Sequence, residues 1–407
     1  MKVLVYGLAR SGAAAVRRLK ERGDEVVVVD TSLGNEEDGS LLEGVELVVK
    51  SPGVPGERML VARARERGIP VWSELELGWS LLAPSGTRFV AVTGTNGKST
   101  TVELLGAIFR AAGRDVAVAG NIGTSLTSVT SAEWVVCEVS SFQLEDVHEF
   151  SCDVAVLLNL EPDHLDRHGS FASYRAAKLR IFERAGIAIV PRGSGLPGIE
   201  FAGDDPLPAE PAIRGAHNRE NAAAATLASR ASGVPEEAIA EGLRTFPGVP
   251  HRLEDVGEAR GVRYVNDSKA TNVAAAIRAL AAYADEPVHL ILGGSLKGES
   301  FAPLVAAIGP NVRSIHLVGE AAGLLAEAFG AREADRDGTI PRALARATAL
   351  ARPGDVVLLS PACASYDQYE NFERRGEEFA RLVAGLPRWT PPAAARASRT
   401  PFPLTKD

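Results

Sequence analysis

The chain reads as an α/β protein of three domains: a Rossmann-like N-terminal domain, a central domain of the P-loop ATPase type, and a Rossmann-like C-terminal domain. Three observations predict this. Short valine- and leucine-rich runs recur along the sequence with helical spacing between them, the pattern of parallel strands buried on both faces. Glycine-rich turns follow two of these runs, at Gly7–Gly12 and Gly94–Gly97. Breaks rich in proline and glycine fall at Pro84-Ser85-Gly86-Thr87 and at Phe246-Pro247-Gly248-Val249-Pro250. The 407 residues suit two or three domains at about 150 residues each. We set the expected bounds at 1–86, 87–247 and 248–387, with a flexible tail over 388–407. That tail, from Trp389 onward, has no periodicity.

In the first domain a strand at Val3–Tyr6 leads through Gly7-Leu8-Ala9-Arg10-Ser11-Gly12 to a helix near 12–22 and a strand at Glu25–Asp30. This is a βαβ unit of the dinucleotide type, but Ala9 stands where a second glycine should let a pyrophosphate approach the backbone. Gly7, Gly12 and Asp30 are compatible with NAD, and equally with another nucleotide-like ligand. A further strand, Leu47–Lys50, runs into Ser51-Pro52-Gly53.

The central domain carries the most specific motif. Phe89–Thr93 reads as a buried strand, Gly94-Thr95-Asn96-Gly97-Lys98-Ser99-Thr100 as a phosphate loop, and Val102, Leu104, Leu105, Ile108 and Phe109 as the apolar face of a helix. Unblocked backbone N–H groups at a helix N-terminus bind phosphate. Lys98 would reach the outer phosphates of ATP or GTP, and the hydroxyl of Ser99 or Thr100 would hold Mg²⁺. The commoner spacing puts a glycine five positions before Gly97, where this chain has Val92. Strands are expected at Trp134–Val139 and Val154–Asn159. Glu138 at the first of these is either an oxygen ligand for Mg²⁺ or a capping or surface glutamate. His164 lies in the polar loop after the second, where structural and functional roles are equally open. Lys178 sits on an amphipathic helix, and composition makes it an exposed lysine. Val190–Ala212 reads as loop, ahead of an alanine-rich helix after His217-Asn218-Arg219-Glu220-Asn221.

In the third domain, strands are expected at Val262–Val265, Val288–Leu292, Ile315–Val318 and Val356–Leu359, with a helix from Asn272 to Tyr283. Three polar loops follow strands: Asn266–Asn272, Gly293–Gly298 and Ser360–Asp367. Open α/β sheets bind ligands at such strand ends, so these loops suggest an anion-binding crevice.

Composition excludes several classes. A net charge of −8 gives no polyanion-binding surface, so nucleic acid is not an expected partner. No apolar run approaches a membrane span. Cys137, Cys152 and Cys363 are few and widely spaced, as buried thiols in a reducing compartment would be. The chain opens directly on a strand, so no signal peptide is expected and the location is read as cytoplasmic.

Together, and in this order, Gly94–Thr100, Glu138-Val139-Ser140-Ser141, Asp163-His164, Lys178, His217-Asn218, Asn266–Asn272 and Ser360–Asp367 resemble the Mur ligase family. The resemblance covers residues 1–387. The third-domain motifs, with Asn371-Phe372-Glu373-x-Arg375-Gly376, are similar to those of the members that add D-glutamate. The resemblance implies an ATP-dependent ligase of peptidoglycan precursor synthesis. It phosphorylates a carboxylate, and an amino acid then attacks the acyl phosphate. It implies catalytic roles for Lys98, Glu138, His164, Lys178 and Lys269. It implies ATP contacts from Gly94, Thr95, Asn96, Gly97, Lys98, Ser99, Thr100, Asn218, Asn221, Arg252 and Asp267. Metal would be held by Ser99, Thr100, Glu138, His164 and Lys178, the lysine as a CO₂-derived carbamate. Arg10, Ser11, Asp30, Thr31, Ser51, Asn121 and His164 would line a site for a UDP-substrate. Thr271, Lys297, Ser365 and Phe372 would surround D-glutamate. The implied cofactors are ATP and Mg²⁺, the implied partners small molecules only, and the implied state a monomer.

Overall fold

In the computed structural model, which describes residues 1–392 except Ile122 and Lys297, the chain forms two compact units. One unit comprises Met1–Pro211 with His217–Arg244, the other Ala212–Ala216 with the chain from Thr245 onward.

The first unit holds two sheets. β1 (Lys2–Tyr6), β2 (Glu25–Val29), β3 (Leu47–Lys50) and β4 (Val71–Ser73) form a parallel sheet of order β2-β1-β3-β4. Alternate residues of β1 serve opposite faces. Val3 and Val5 pack with Ala15, Leu19 and Leu77, while Leu4 and Tyr6 pack with Leu42, Leu60 and Val61. The second sheet comprises β5 (Arg88–Thr93), β6 (Val116–Gly120), β7 (Trp134–Glu138), β8 (Cys152–Leu157), β9 (Ala185–Pro191) and β10 (Ile199–Phe201), in order β10-β9-β8-β5-β7-β6 and all parallel. β5 lies between β8 and β7, so the loops leaving all three emerge side by side.

One expectation changes here. The stretch 190–212 is not all loop, because it completes β9 and supplies β10. At the expected break, Ala83–Ser85 forms a 3₁₀ turn, and Thr87 Oγ1 donates to Ala132 O at 2.9 Å. Glu74 and Glu76, both buried, reach from the end of the first sheet into loops of the second. Glu74 accepts from Thr127 N and Oγ1, and Glu76 from the N–H groups of His148, Glu149 and Phe150.

The second unit holds one sheet, of order β15-β14-β13-β16-β12-β11-β17: β11 (Glu254–Ala259), β12 (Val262–Asn266), β13 (Val288–Gly293), β14 (Val312–Val318), β15 (Asp335–Gly338), β16 (Val356–Leu359) and β17 (Trp389–Thr390). β11 alone runs antiparallel to its parallel-sheet neighbour β12, and β17 pairs antiparallel with β11. Within the tail expected to be flexible, Trp389 and Thr390 thus pair with β11. The Trp389 indole lies against the core with Val256, Phe379 and Val383 and donates to Val256 O. Residues 393–407 lie outside the described chain. Cys137, Cys152 and Cys363 are buried and outside any disulfide among the described residues, as expected.

Candidate functional site

The end of β5 opens into the glycine loop. Gly94 and Gly97 have φ of 154° and 87°, and the helix Lys98–Ala111 starts immediately after. A Cβ at Gly97 would strike Asn221 Oδ1 and Leu158, so the loop can pass there only as glycine. Asn159, just past β8, fixes the loop from the other side. Its Oδ1 accepts from Asn96 N at 2.8 Å, its Nδ2 donates to Asn96 O, and its carbonyl accepts from Thr95 N. Lys98 curls over the same loop, its ammonium 2.9 Å from Gly94 O and 3.0 Å from Thr95 O.

β7 ends beside this loop with Glu138, 2% exposed. Ser99 Oγ donates to Glu138 Oε2 at 2.7 Å, and Asn121 Nδ2 to Oε1 at 3.3 Å. Asn121 thus contacts the carboxylate expected at the metal. The Thr100 hydroxyl is buried without a hydrogen-bond partner. A carboxylate, a hydroxyl bonded to it and an unsatisfied hydroxyl form an oxygen donor set, which suits a hard cation sharing its shell with phosphate. Among the described residues no three His, Cys, Asp or Glu side chains cluster to hold a metal without such help.

Lys178 overturns the composition-based expectation, for it is 2% exposed. The helix Phe171–Leu179 carries it under β5, where Nζ lies 2.8 Å from Gly94 O and 3.5 Å from Thr93 Oγ1. Burial first and the nearby Lys98 cation second lower its pKa to about 7, against the opposing pull of Asp163 and Glu138. Tyr174, one turn earlier, presents its ring 4.8 Å from the Lys178 ammonium and its hydroxyl 2.9 Å from Thr95 Oγ1.

His164 is half exposed, with left-handed backbone (φ 50°), and its ring lies 5.0 Å from Phe142. The buried histidine of this loop is His168. It stacks on Phe142 and contacts Ser141 Oγ at 2.9 Å and Glu145 at 3.1 Å. Asn218 and Asn221 are buried and bonded to each other at 3.2 Å.

Around the first sheet, the Asp30 carboxylate accepts from Leu8 N at 2.6 Å and from Ser32 N and Oγ, and these bonds, led by the Ser32 hydroxyl, lower its pKa. Gly12 packs so tightly on the Gly7 carbonyl that a Cβ would overlap it. Ser51 Oγ donates to the same carbonyl at 3.0 Å, and Arg10 donates to Gly123 O at 3.0 Å. Ser11 is half-buried beside them, and Thr31 is exposed in the turn after Asp30.

In the second unit the three polar loops follow β12, β13 and β16, which are adjacent in the sheet. Ser295 N donates to Ala364 O at 2.9 Å, tying the second loop to the third. Arg375, 1% exposed, joins the first to the third. It donates to Ser268 Oγ and O at 2.9 and 2.7 Å, and to Ala364 O and Cys363 O at 3.0 and 3.1 Å. Lys269 Nζ lies 5.5 Å from the centre of the Phe372 ring, and Ser365 is buried. Asp267 is also buried. Desolvation raises its pKa to about 7, despite bonds from Ser360 Oγ and Leu253 N and the charge of Arg252. Thr271 bonds back to Lys269 O at 2.8 Å. Lys297 lies outside the described residues.

Sequence reasoning assigned no role to Asn159, Tyr174, His168 or Arg375. Two of them carried a signal. Tyr174 precedes Lys178 by one helical turn, and Asn159 closes a strand beside the glycine loop.

These lobes define a class of protein: a P-loop phosphate cradle with a buried hydroxyl–carboxylate pair in one unit, and a Rossmann-like sheet with three joined polar loops in the other. The Mur ligase middle domain model matches residues 92–195, and the Mur ligase, glutamate ligase domain matches residues 251–363. UDP-N-acetylmuramoylalanine–D-glutamate ligase of Myxococcus xanthus is 40% identical over 450 aligned positions, spanning 95% of this chain and 98% of the relative. The enzyme of the same name from Anaeromyxobacter dehalogenans is 41% identical, spanning 94% and 97%. The chain belongs to the Mur ligase family. UDP-N-acetylmuramate–alanine ligase MurC of Thermotoga maritima shares the fold at a TM-score of 0.60 and 17% identity, over 94% of this chain and 98% of that one. Among the described residues no helix is long and apolar enough to cross a membrane.

Proposed function

We propose that this chain joins D-glutamate to UDP-N-acetylmuramoyl-L-alanine, converting ATP to ADP and phosphate, in peptidoglycan precursor synthesis. The observation that carries the reading is one glycine loop serving Lys98, the Ser99–Glu138 pair and the buried Lys178, in a chain about 40% identical to named D-glutamate ligases over nearly its whole length.

A carboxylate resists nucleophiles because it is already anionic. Transfer of the γ-phosphoryl group of ATP to the alanyl carboxylate removes that charge and installs a leaving group. The neutral amine of D-glutamate then attacks the acyl carbon, and the tetrahedral adduct expels phosphate as the amide forms. The protein supplies position and charge neutralisation. Lys98 and the N–H groups of Gly94–Thr100 would hold the phosphates. Mg²⁺ would be held by Ser99, Thr100 and Glu138, with His164 and a carbamate on Lys178 at a second position, and it supplies positive charge against the phosphates.

The carbamate forms when the neutral Lys178 amine bonds to the carbon of CO₂ and gives up a proton. An ordinary lysine, with a pKa near 10.4, is scarcely neutral at pH 7, whereas this one titrates at about 7. Asn218, Asn221, Arg252 and Asp267 would contact ATP. Arg10, Ser11, Asp30, Thr31, Ser51, Asn121 and His164 would contact the UDP-substrate. Thr271, Lys297, Ser365 and Phe372 would receive D-glutamate, with Lys269 near the reacting groups. The same reading has the enzyme act in the cytoplasm, as a monomer, on small molecules alone.

Phosphate release should require UDP-N-acetylmuramoyl-L-alanine and D-glutamate together. L-glutamate, L-lysine and diaminopimelate should support only background release. Equal turnover with L-lysine would sink the assignment.

A further inference from the structure

β3 ends in a lysine that no motif singles out. Lys50 is 1% exposed, and its ammonium is 3.1 Å from Asp146 Oδ2 and 3.2 Å from Val54 O. Asp146 is itself buried, and Arg65 reaches its other oxygen at 2.6 Å. Asp146 belongs to the segment that leaves β7 after Glu138, while Lys50 and Arg65 belong to the first sheet and the helix Met59–Glu66. The cluster therefore ties the first sheet to the polypeptide carrying Glu138.

What the cluster grips is the loop Ser51–Gly56. Val54 O accepts from Lys50 and, at 3.5 Å, from Arg167, and Gly56 O accepts from the second arm of Arg65 at 3.0 Å. The turn is closed by Val54 N to Ser51 O at 3.0 Å, and Ser51 in turn bonds the Gly7 carbonyl. Besides its backbone bonds, the loop is thus held by two cations and a neighbouring arginine aimed at its carbonyls. Separating Lys50 from Asp146 would leave a buried charge uncompensated, so the pair resists movement of the two segments apart.

We infer that Lys50, paired with Asp146, is a positioning residue that sets the loop Ser51–Gly56 to receive the UDP-substrate in register with the phosphoryl-transfer site. This deepens the function proposed above and rests on it. The residue would act on substrate placement and not on ATP.

The test is Lys50→Met, which keeps an unbranched side chain close to lysine's length without its ammonium and leaves Asp146 its Arg65 partner. In the substrate-free protein, amide hydrogen exchange over residues 51–56 should quicken about tenfold or more, with exchange in the helix Lys98–Ala111 unchanged. In turnover, KM for UDP-N-acetylmuramoyl-L-alanine should rise about tenfold, with KM for ATP within twofold. Lys50→Met/Asp146→Leu, which removes both buried charges, should keep the thermal midpoint of Lys50→Met or better yet retain the raised KM. Unchanged exchange over 51–56, or an equal rise in both KM values, would overturn the inference. If the wild-type protein does not turn over that substrate at all, the proposed function fails, and the exchange measurement alone still decides the role of Lys50.

Discussion

Each unit buries one cation that makes no ion pair among the described residues, and the two are treated in opposite ways. Lys178 in the first unit has one short bond, to Gly94 O, and a long one to Thr93 Oγ1. Arg375 in the second unit has four acceptors, from Ser268, Cys363 and Ala364. Burial lowers both pKa values, to about 7 for the lysine and about 10 for the arginine. At neutral pH the lysine is therefore close to half neutral and nucleophilic, while the arginine stays charged. An under-satisfied amine can do chemistry, whereas a fully satisfied guanidinium is a strut between loops.

The sharpest way to break the comparison is to remove the amine. Lys178→Ala should lower turnover by about 10²–10³-fold, the usual cost of a lost charge-stabilising group in a closed site. Acetate should restore part of the activity, because its oxygens can replace those of the carbamate. Lys178→Arg should stay inactive with acetate, since a permanent cation fills the space. The sign of the pH dependence follows from the depressed pKa. Above about 7 the amine is neutral and takes up CO₂, and below it protonation blocks uptake. Reactivation of CO₂-stripped protein should thus rise through pH 7 and level off well below pH 10. A profile still climbing at pH 10 would return Lys178 to an ordinary lysine.

Removing the strut should cost stability. Arg375→Met leaves four acceptors without their donor, at about 3 kcal/mol or more. Chemical denaturation would read this as a lowered midpoint at unchanged slope. A loss below about 1 kcal/mol would mean that the loops following β12 and β16 are held by other contacts.

The pattern of what could be read from the sequence follows the same division between apolar cores and long-range polar contacts. β1, β5, β7, β13 and β16 are buried strands, and each appeared as an apolar run. β4, β6, β10, β15 and β17 lie at sheet edges and none was predicted, whereas the edge strand β2 was, through its valine run. Asp335–Gly338 is an extreme case, a strand with the sequence Asp-Arg-Asp-Gly. The phosphate loop was legible because its chemistry is local. The burial of Lys178 was not, because its neighbours Thr93 and Gly94 are more than eighty residues away in sequence. Arg375 was hidden likewise, since its partner Ser268 lies 107 residues away.

Asp267 sharpens the comparison from the anionic side. Its folded pKa, raised to about 7 from 3.8, means that the folded state holds a proton which the unfolded state releases. Its contribution to stability is therefore full below pH 3.8 and is lost as pH rises to about 7. Asp267→Asn removes that proton from the balance. The stability of wild type relative to Asp267→Asn should fall between pH 4 and 7 and stop changing above. A difference that is flat across this range would show that Asp267 is already ionised when folded.

The smallest effect is expected at Trp389, whose indole N–H, like Arg375, has its acceptor and so should act as structure alone. The ring lies over the bulged stretch of β11, where Gly257, with φ 119°, leaves no Cβ in its way. Nε1 donates to Val256 O at 3.1 Å, and Thr390 Oγ1 donates to Glu258 O at 3.3 Å. Trp389→Ala removes a partly buried ring at a sheet edge, where the cavity can fill with solvent, so the loss should be about 1–2 kcal/mol, below that of a core aromatic. Gly257→Ala should cost a similar amount by pushing the indole off the strand. Turnover should be unchanged in both variants below their melting temperatures. A fall in kcat at full stability would give the end of the described chain a part in catalysis and undo the rule that a satisfied polar group is only architectural.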